Sequence, residues 1–530
     1  MKNKFIFLSS CLLSAMLMFS CKENNKETNE ETPEVTAQND TDFRPAFHFT
    51  PNENWMNDPN GMFFLNGTYH LFFQYYPEGN TWGPMHWGHA TSKDMIKWEE
   101  QPIALKPDEQ GYIFSGSAVV DTENTSGFGD GETAPVIAMF TYHDPKGEEE
   151  GREDYQTQAI AYSLDEGKTF TKYEGNPVIE NPGIRDFRDP KITRDEVHDQ
   201  WVMVLSADDI TMFYTSQNLK DWELASEFGK GIGAHGGVWE CPDFIQMKVE
   251  GSEEKKWVLI QSLNPGGFNG GSGTQYFVGD FDGKTFTLDD SMQDLGEDHH
   301  YWLDFGKDNY AGVTWANIPE EDGRHLFIGW MSNWQYANEV PTETWRSAMT
   351  IAREIKLNKT GDTYRIVSTP AAELQNYKGE KFTKSTVSVE GKTQIATSEE
   401  IDISNSVISF EIQDLKDQEY HFSLSSEGDD VLKFGYDHST EEFYLDRSNS
   451  GLTDFNENFG DKVSTAPRLS KDSNLKVKAI VDNMSIELFF DDGETVMTEI
   501  FFPEQPIRNF SAEGNEFNLK NLKINQVNLN

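Results

Sequence analysis

The chain has 530 residues, of which 44 are Lys or Arg and 90 are Asp or Glu, a formal net charge of −46. That balance excludes a nucleic-acid binder, which needs a basic face to displace counterions from phosphates, and it opposes docking on anionic lipid headgroups. Aromatic residues make up 13% and cysteines number three, so the chain is neither a disordered acidic tail nor a disulfide scaffold.

Met1–Lys4 carries two lysines, Phe5–Ser20 is apolar and Ser-rich, and Cys21 follows. The apolar stretch falls short of the ~20 residues of a membrane-spanning helix and reads as an export signal over 1–21. It resembles a bacterial lipoprotein signal. The resemblance implies acylation of Cys21, a lipid anchor as the sole membrane contact, and a place on the outer membrane, at the cell surface or facing the periplasm; plain secretion is the alternative. Lys22–Asp42 holds seven acids, two lysines and one sizeable apolar residue, Val35, and reads as a disordered acidic tether.

From Phe43 the chain turns strand-like: short runs of Phe, Tyr, Trp, Val and Thr end at Gly, Asn or Asp. Met62–Leu65 and Thr68–Phe73 flank Asn66-Gly67, a strong hairpin signal. A pattern of strand, polar turn and aromatic residue recurs at Ala90–Asp94 with Trp98, Ala161–Asp165 with Phe170, Tyr214–Asn218 with Trp222, and Val278–Asp282 with Phe286. The aromatic residues stand 72, 52 and 64 positions apart. About five such units fit into 43–368, the repeat of a five-bladed β-propeller, although generic hairpins of a sandwich would show a similar pattern. After a connector at Ala371–Tyr377, alternating strands such as Val407–Ile412 and the hairpin Ser485–Phe502 point to a β-sandwich over 377–530. The fold class is all-β.

Several motifs carry no chemistry. Gly-Lys-Thr begins at Gly167, Gly283 and Gly391, but the earlier glycine of a phosphate loop is replaced by Tyr162, Val278 and Thr386, so all three read as turns. His299-His300 would point to opposite faces of a strand, poorly placed for one metal ion. Neither a cofactor nor a catalytic metal is expected.

Three acids sit in one unusual kind of setting, flanked by Trp, Pro or Gly at a strand. They are Asp58 in Trp55-Met56-Asn57-Asp58-Pro59-Asn60-Gly61, Asp189 in Arg188-Asp189-Pro190, and Glu240 in Trp239-Glu240-Cys241-Pro242. Two carboxylates flanking a bond, with aromatic faces to stack a sugar ring, suit glycoside hydrolysis. Trp55, Trp82, Trp239 and Trp334 are the candidate faces, and burial of Glu240 would favour its protonated form.

These motifs resemble those of glycoside hydrolase family 32, the β-fructosidases. Phe72-Phe73-Gln74, Phe114-Ser115-Gly116-Ser117 and Trp330–Trp334 add to the likeness, which spans roughly 44–530. The resemblance implies a five-bladed propeller with a C-terminal sandwich and a retaining mechanism. Asp58 would be the nucleophile, Glu240 the acid/base and Asp189 the transition-state stabiliser. Asn57, Gln74, Trp82, Phe114, Ser115, Arg188 and Trp334 would line the pocket for a terminal fructose, with Cys241 tuning the acids or merely filling the core behind them. His235–Asp243 and Asn264–Tyr276 look more like bacterial levanases and exo-inulinases than like invertases, which implies a levan or inulin substrate. Endo-acting levanases share every catalytic motif, and fructosyl transfer or a non-catalytic fructan binder are further alternatives. Oligomeric state is open.

Overall fold

A computed structural model describes residues 43–293 and 295–529; the export signal, Cys21 and the acidic tether expected in 1–42 lie outside the described residues. Five antiparallel sheets of four strands follow one another from Asn54 to Pro370, with Trp345–Arg346 and Ala348–Met349 as short additions to the first and fifth. The leading strands of the sheets are Asn54–Leu65, Tyr112–Val120, Phe187–Asp195, Val238–Lys248 and Tyr310–Thr314. Each packs on the next and the fifth on the first, so the sheets are blades around a central channel. The ring closes through a parallel bridge, Phe63 to Ala316, and the parallel pairing of Asn54-Trp55 with Trp345-Arg346.

Local chemistry sets the blades. Asn66 and Gly67 both take positive φ, which a tight hairpin turn between Leu65 and Thr68 requires. The repeating motif is the turn from third to fourth strand in blades one to four. In the first three, Ser92, Ser163 and Ser216 accept backbone N–H groups of the turn through their hydroxyls. In the fourth, Asp282 caps Lys284 and Thr285. The fifth blade has instead a tight hairpin at Thr360–Thr363 and lacks the motif. Between blades, apolar faces meet: Ile137, Met139 and Ile160 of the second share a cluster with Ile192, Met203 and Leu205 of the third. Gly167 and Gly283 are turn residues with positive φ, whereas Gly391, expected as a turn, lies inside the strand Lys378–Thr397 at a break in its pairing, also with positive φ; His299 gives its Nε2 to Gln275 Oε1 at 2.8 Å.

The last propeller strand ends at Pro370, a short 3₁₀ helix spans Ala372–Tyr377, and the first sandwich strand starts at Lys378. The sandwich is one continuous ten-stranded sheet folded over itself. Its two long strands, Lys378–Thr397 and Asn509–Val527, pair along their length; the second pairs with Glu419–Ser425 through its first part and with Ser406–Ile412 through its last. Both layers therefore share it. They pack face to face, with Phe443 stacked on Phe490 at 3.8 Å between ring centroids.

The segment from Phe43 belongs to neither blade nor layer. It lies against the sandwich, where Asp482 accepts the backbone N–H groups of Ala46, Phe47 and His48. His48 is clamped between Asp482 and Glu487 at 2.7 and 2.8 Å. Arg353 of the propeller joins Asp304 to Glu487, and Arg447 of the sandwich meets Asp308.

Candidate active site

One backbone device recurs in all five leading strands. Pairing with the second strand skips Asn57-Asp58 opposite Gln74, Phe114-Ser115 opposite Thr141, Asp189-Pro190 opposite Leu205, Cys241-Pro242 opposite Gln261, and Ala311-Gly312 opposite Gly329. Each is a β-bulge of two residues against one, which breaks the ladder and re-aims side chains. Proline suits such sites because it has no N–H to give the ladder, and Pro190 and Pro242 lie in two of the bulges while Pro59 closes a third. Asp189, Cys241 and Ala311 take positive φ there.

Residues in or beside four of these bulges meet in one pocket. Asn57, Asp58, Gln74, Trp82, Phe114, Ser115, Arg188, Asp189, Glu240 and Trp334 line a single cavity of about 50 Å³. All ten are residues singled out in the sequence. Two of the four candidate stacking faces are absent from it. Trp55 and Trp239 are 0% exposed and offer no face to a ligand. Trp239 precedes Glu240 in one strand, so the two point to opposite sides of the sheet. It stacks on His235 and Phe277 in the core. Trp55 lies beneath Trp334, with ring centroids 5.8 Å apart.

Trp55 has a different use. Its Nε1 donates to Asn57 Oδ1 at 2.8 Å, which turns the Asn57 amide nitrogen onto Asp58 Oδ1 at 3.0 Å. Ser115 Oγ donates to Asp58 Oδ2 at 2.7 Å, and the Cys241 thiol donates to the same oxygen at 3.4 Å. These three donors favour the ionised carboxyl, while burial, and then the charge of Glu240, push the Asp58 pKa above the usual range. Asp189 accepts the backbone N–H of Cys241 at 3.0 Å. Its pKa is pushed up to about 7, chiefly by burial, which outweighs the Arg188 charge. Burial also raises the Cys241 thiol, so it remains a neutral donor.

Glu240 is held at both oxygens. Arg188 Nη2 and Nε donate to Oε1 at 2.9 and 3.3 Å, and the Tyr310 hydroxyl donates to Oε2. Arg188 also grips Asp186. Tyr310 precedes the fifth bulge, where Ala311-Gly312, like Phe114-Ser115 of the second, has no proline. Nothing in the surrounding sequence marks it, and only its place in the ring does. Gln261, opposite the Glu240 bulge, donates to the Glu240 carbonyl at 2.8 Å, and Thr141, opposite Ser115, accepts the Asp189 N–H at 3.1 Å. Gln74 leaves its amide nitrogen without a protein partner. That donor is available to a ligand oxygen.

Deeper in the channel Lys191 binds Asp243 and the Thr314 carbonyl. A roomier cavity of about 470 Å³ opens beyond it, but its cations Lys191, Arg194 and Arg324 are all in ion pairs. Among the described residues no group of three His, Cys, Asp or Glu is arranged to hold a metal ion.

Comparison with known proteins falls on this same architecture. The N-terminal domain of glycosyl hydrolases family 32 matches residues 48–370 and the family's C-terminal domain matches 373–526. A levanase of Bacillus subtilis is 47% identical over 469 residues, covering 88% of this chain and 67% of the levanase. An extracellular exo-inulinase of Aspergillus niger is 41% identical over 494 residues, covering 88% of this chain and 90% of that enzyme. The crystal structure of exo-inulinase from Aspergillus awamori superposes with a TM-score of 0.82 at 36% identity, covering 92% of this chain and 98% of the other.

Proposed function

The chain belongs to glycoside hydrolase family 32, and on that premise we propose that it is a retaining β-fructosidase that releases terminal fructose from levan or inulin. The observation that carries the reading is the convergence of Asp58, Asp189 and Glu240, from three blades, on one small pocket. A small pocket walled by Trp82, Phe114 and Trp334 favours attack at a chain end over attack within it.

Asp58 attacks the anomeric carbon, and Glu240 gives a proton to the leaving oxygen. The fructosyl group is carried on Asp58 until Glu240, now a base, draws a proton from water. The Asn57, Ser115 and Cys241 donors supply the ionised Asp58 that the first step needs. Asp189 takes fructose hydroxyls, and its raised pKa lets it donate or accept as they require. Arg188 and Tyr310 fix the Glu240 carboxyl. Trp82 and Trp334 flank the sugar. Cys21 carries the lipid that anchors the exported enzyme, which the intact mass of membrane-extracted protein tests.

The purified protein, incubated with levan, inulin and sucrose, is expected to yield free fructose as the sole early product. A ladder of oligosaccharides overturns chain-end action, longer products at high sucrose indicate transfer to sugar, and an intact fold with no product overturns the hydrolase.

A further inference from the structure

The aromatic rim of the pocket is not held by the propeller alone. Trp334 opens a tight turn in which Tyr336 and Ala337 donate their N–H groups to the Asn333 carbonyl at 3.1 and 2.9 Å. On the propeller side its N–H donates to Ser272 Oγ at 3.1 Å. On the other side the turn meets the sandwich. Asn456 Nδ2 donates to the Gln335 carbonyl at 3.1 Å and to Glu339 Oε1 at 3.0 Å, spanning the turn from one end to the other. Arg447 donates to the Tyr336 hydroxyl at 2.8 Å, and Phe459 packs edge-on against that ring at 5.1 Å.

The same turn carries the second rim residue. Asn338 accepts the Trp82 N–H at 3.0 Å. Trp82 is 41% exposed, with an edge contact to Phe114, so its position depends on that anchor. The Ser272 loop is also tied to the sandwich. Asn269 donates to the carbonyls of Phe305 and Thr465 at 2.6 and 2.8 Å and accepts the Thr465 N–H at 3.0 Å. The fit is close: a Cβ on Gly271 would lie 2.1 Å from Asn333 Oδ1, so this loop admits no bulk there.

We propose that the C-terminal β-sandwich positions Trp334 and Trp82 at the pocket through Asn456, a positioning residue for binding the fructoside. The inference rests on the pocket being a fructosyl site. An unanchored turn has to be ordered when substrate binds, and that cost weakens binding. The chemistry at Asp58 and Glu240 is untouched, so the loss falls on KM and not on kcat.

Asn456→Ala is partly exposed and leaves both cores intact. It is expected to raise KM for a soluble fructo-oligosaccharide about fivefold, the weight of an ordinary hydrogen bond, with kcat within about twofold and Tm nearly unchanged. Amide exchange should quicken at Tyr336, Ala337 and Glu339. In a Trp334→Ala background the same substitution should add little to KM, because the ring it positions is gone. An unchanged KM, unchanged exchange, or an equal fold increase in both backgrounds overturns the proposal. If Asn456→Ala does not fold, Asn269→Ala tests the strap on the other side of Trp334 by the same readouts. Wild-type turnover reports separately on the reading of the pocket.

Discussion

The pocket and the propeller–sandwich interface both bury clusters of charge, and they balance them oppositely. At the interface His48 stands between Asp482 and Glu487, and Arg353 between Asp304 and Glu487. The Asp482 and Glu487 pKa values lie below the usual carboxylate range because their cationic partners outweigh burial, and His48 is raised to about 9. Glu499 is the exception: burial, and then the charge of Asp308, push it up to about 7 against the pull of Arg447. In the pocket three carboxyls face one guanidinium, and both Asp58 and Asp189 are raised. One region spends its charges on holding two domains in register. The other keeps an excess of negative charge that the folded state tolerates, a pattern that marks a reactive site.

The contrast breaks most visibly at Asp58. Asp58→Asn is expected to lower kcat on inulin by ~10⁴-fold. Thermal melting should nonetheless show a Tm equal to or above that of the wild type, since a disfavoured buried charge is removed. A lower Tm would erase the distinction between the two regions. Arg353→Ala should act in the opposite sense. It leaves Glu487 and Asp304 without their guanidinium, at a cost of about 3–5 kcal/mol in denaturant unfolding, with kcat of the folded enzyme largely retained.

The interface also has a pH signature. His48 is raised in the folded state, so its stabilisation is complete below about pH 6.5 and is lost as pH rises through about 9. Wild type should therefore exceed His48→Gln by roughly 3 kcal/mol near pH 6, and most of that gap should close by about pH 10. A gap independent of pH would mean that His48 is held neutral. The smallest effect sharpens the pocket side. Ser115→Ala removes a donor to the ionised Asp58, raises its pKa further, and should move the acidic limb of the kcat/KM profile up by about one pH unit. A limb that stays in place would show that Asp58 does not govern it.

Much of the pocket is legible in the sequence because bulges demand unusual residues. Asp58-Pro59, Asp189-Pro190 and Cys241-Pro242 stand out where a strand admits proline only at its breaks. The blades are legible through local turns, Asn66-Gly67 and the Ser-capped third turns among them. The fifth blade escapes that repeat because its hairpin needs no such cap. Tyr310 is silent because Ala311-Gly312 forms its bulge without proline. Trp239 misleads because neighbours in a strand take opposite faces, and Trp55 because the bulge at Asn57-Asp58 breaks the alternation that would place it relative to Asp58. The interface charges are invisible for another reason: His48 and Asp482 are 434 residues apart, and no local pattern links them.

The central claim is that Asp58 carries the sugar. A Glu240→Gln enzyme, mixed with an activated fructoside whose leaving group needs no proton, should form the covalent intermediate and release it slowly. Mass spectrometry of the acid-quenched digest should then find one fructosyl unit on the peptide containing Asp58. No adduct, or an adduct on Asp189, would contradict the account.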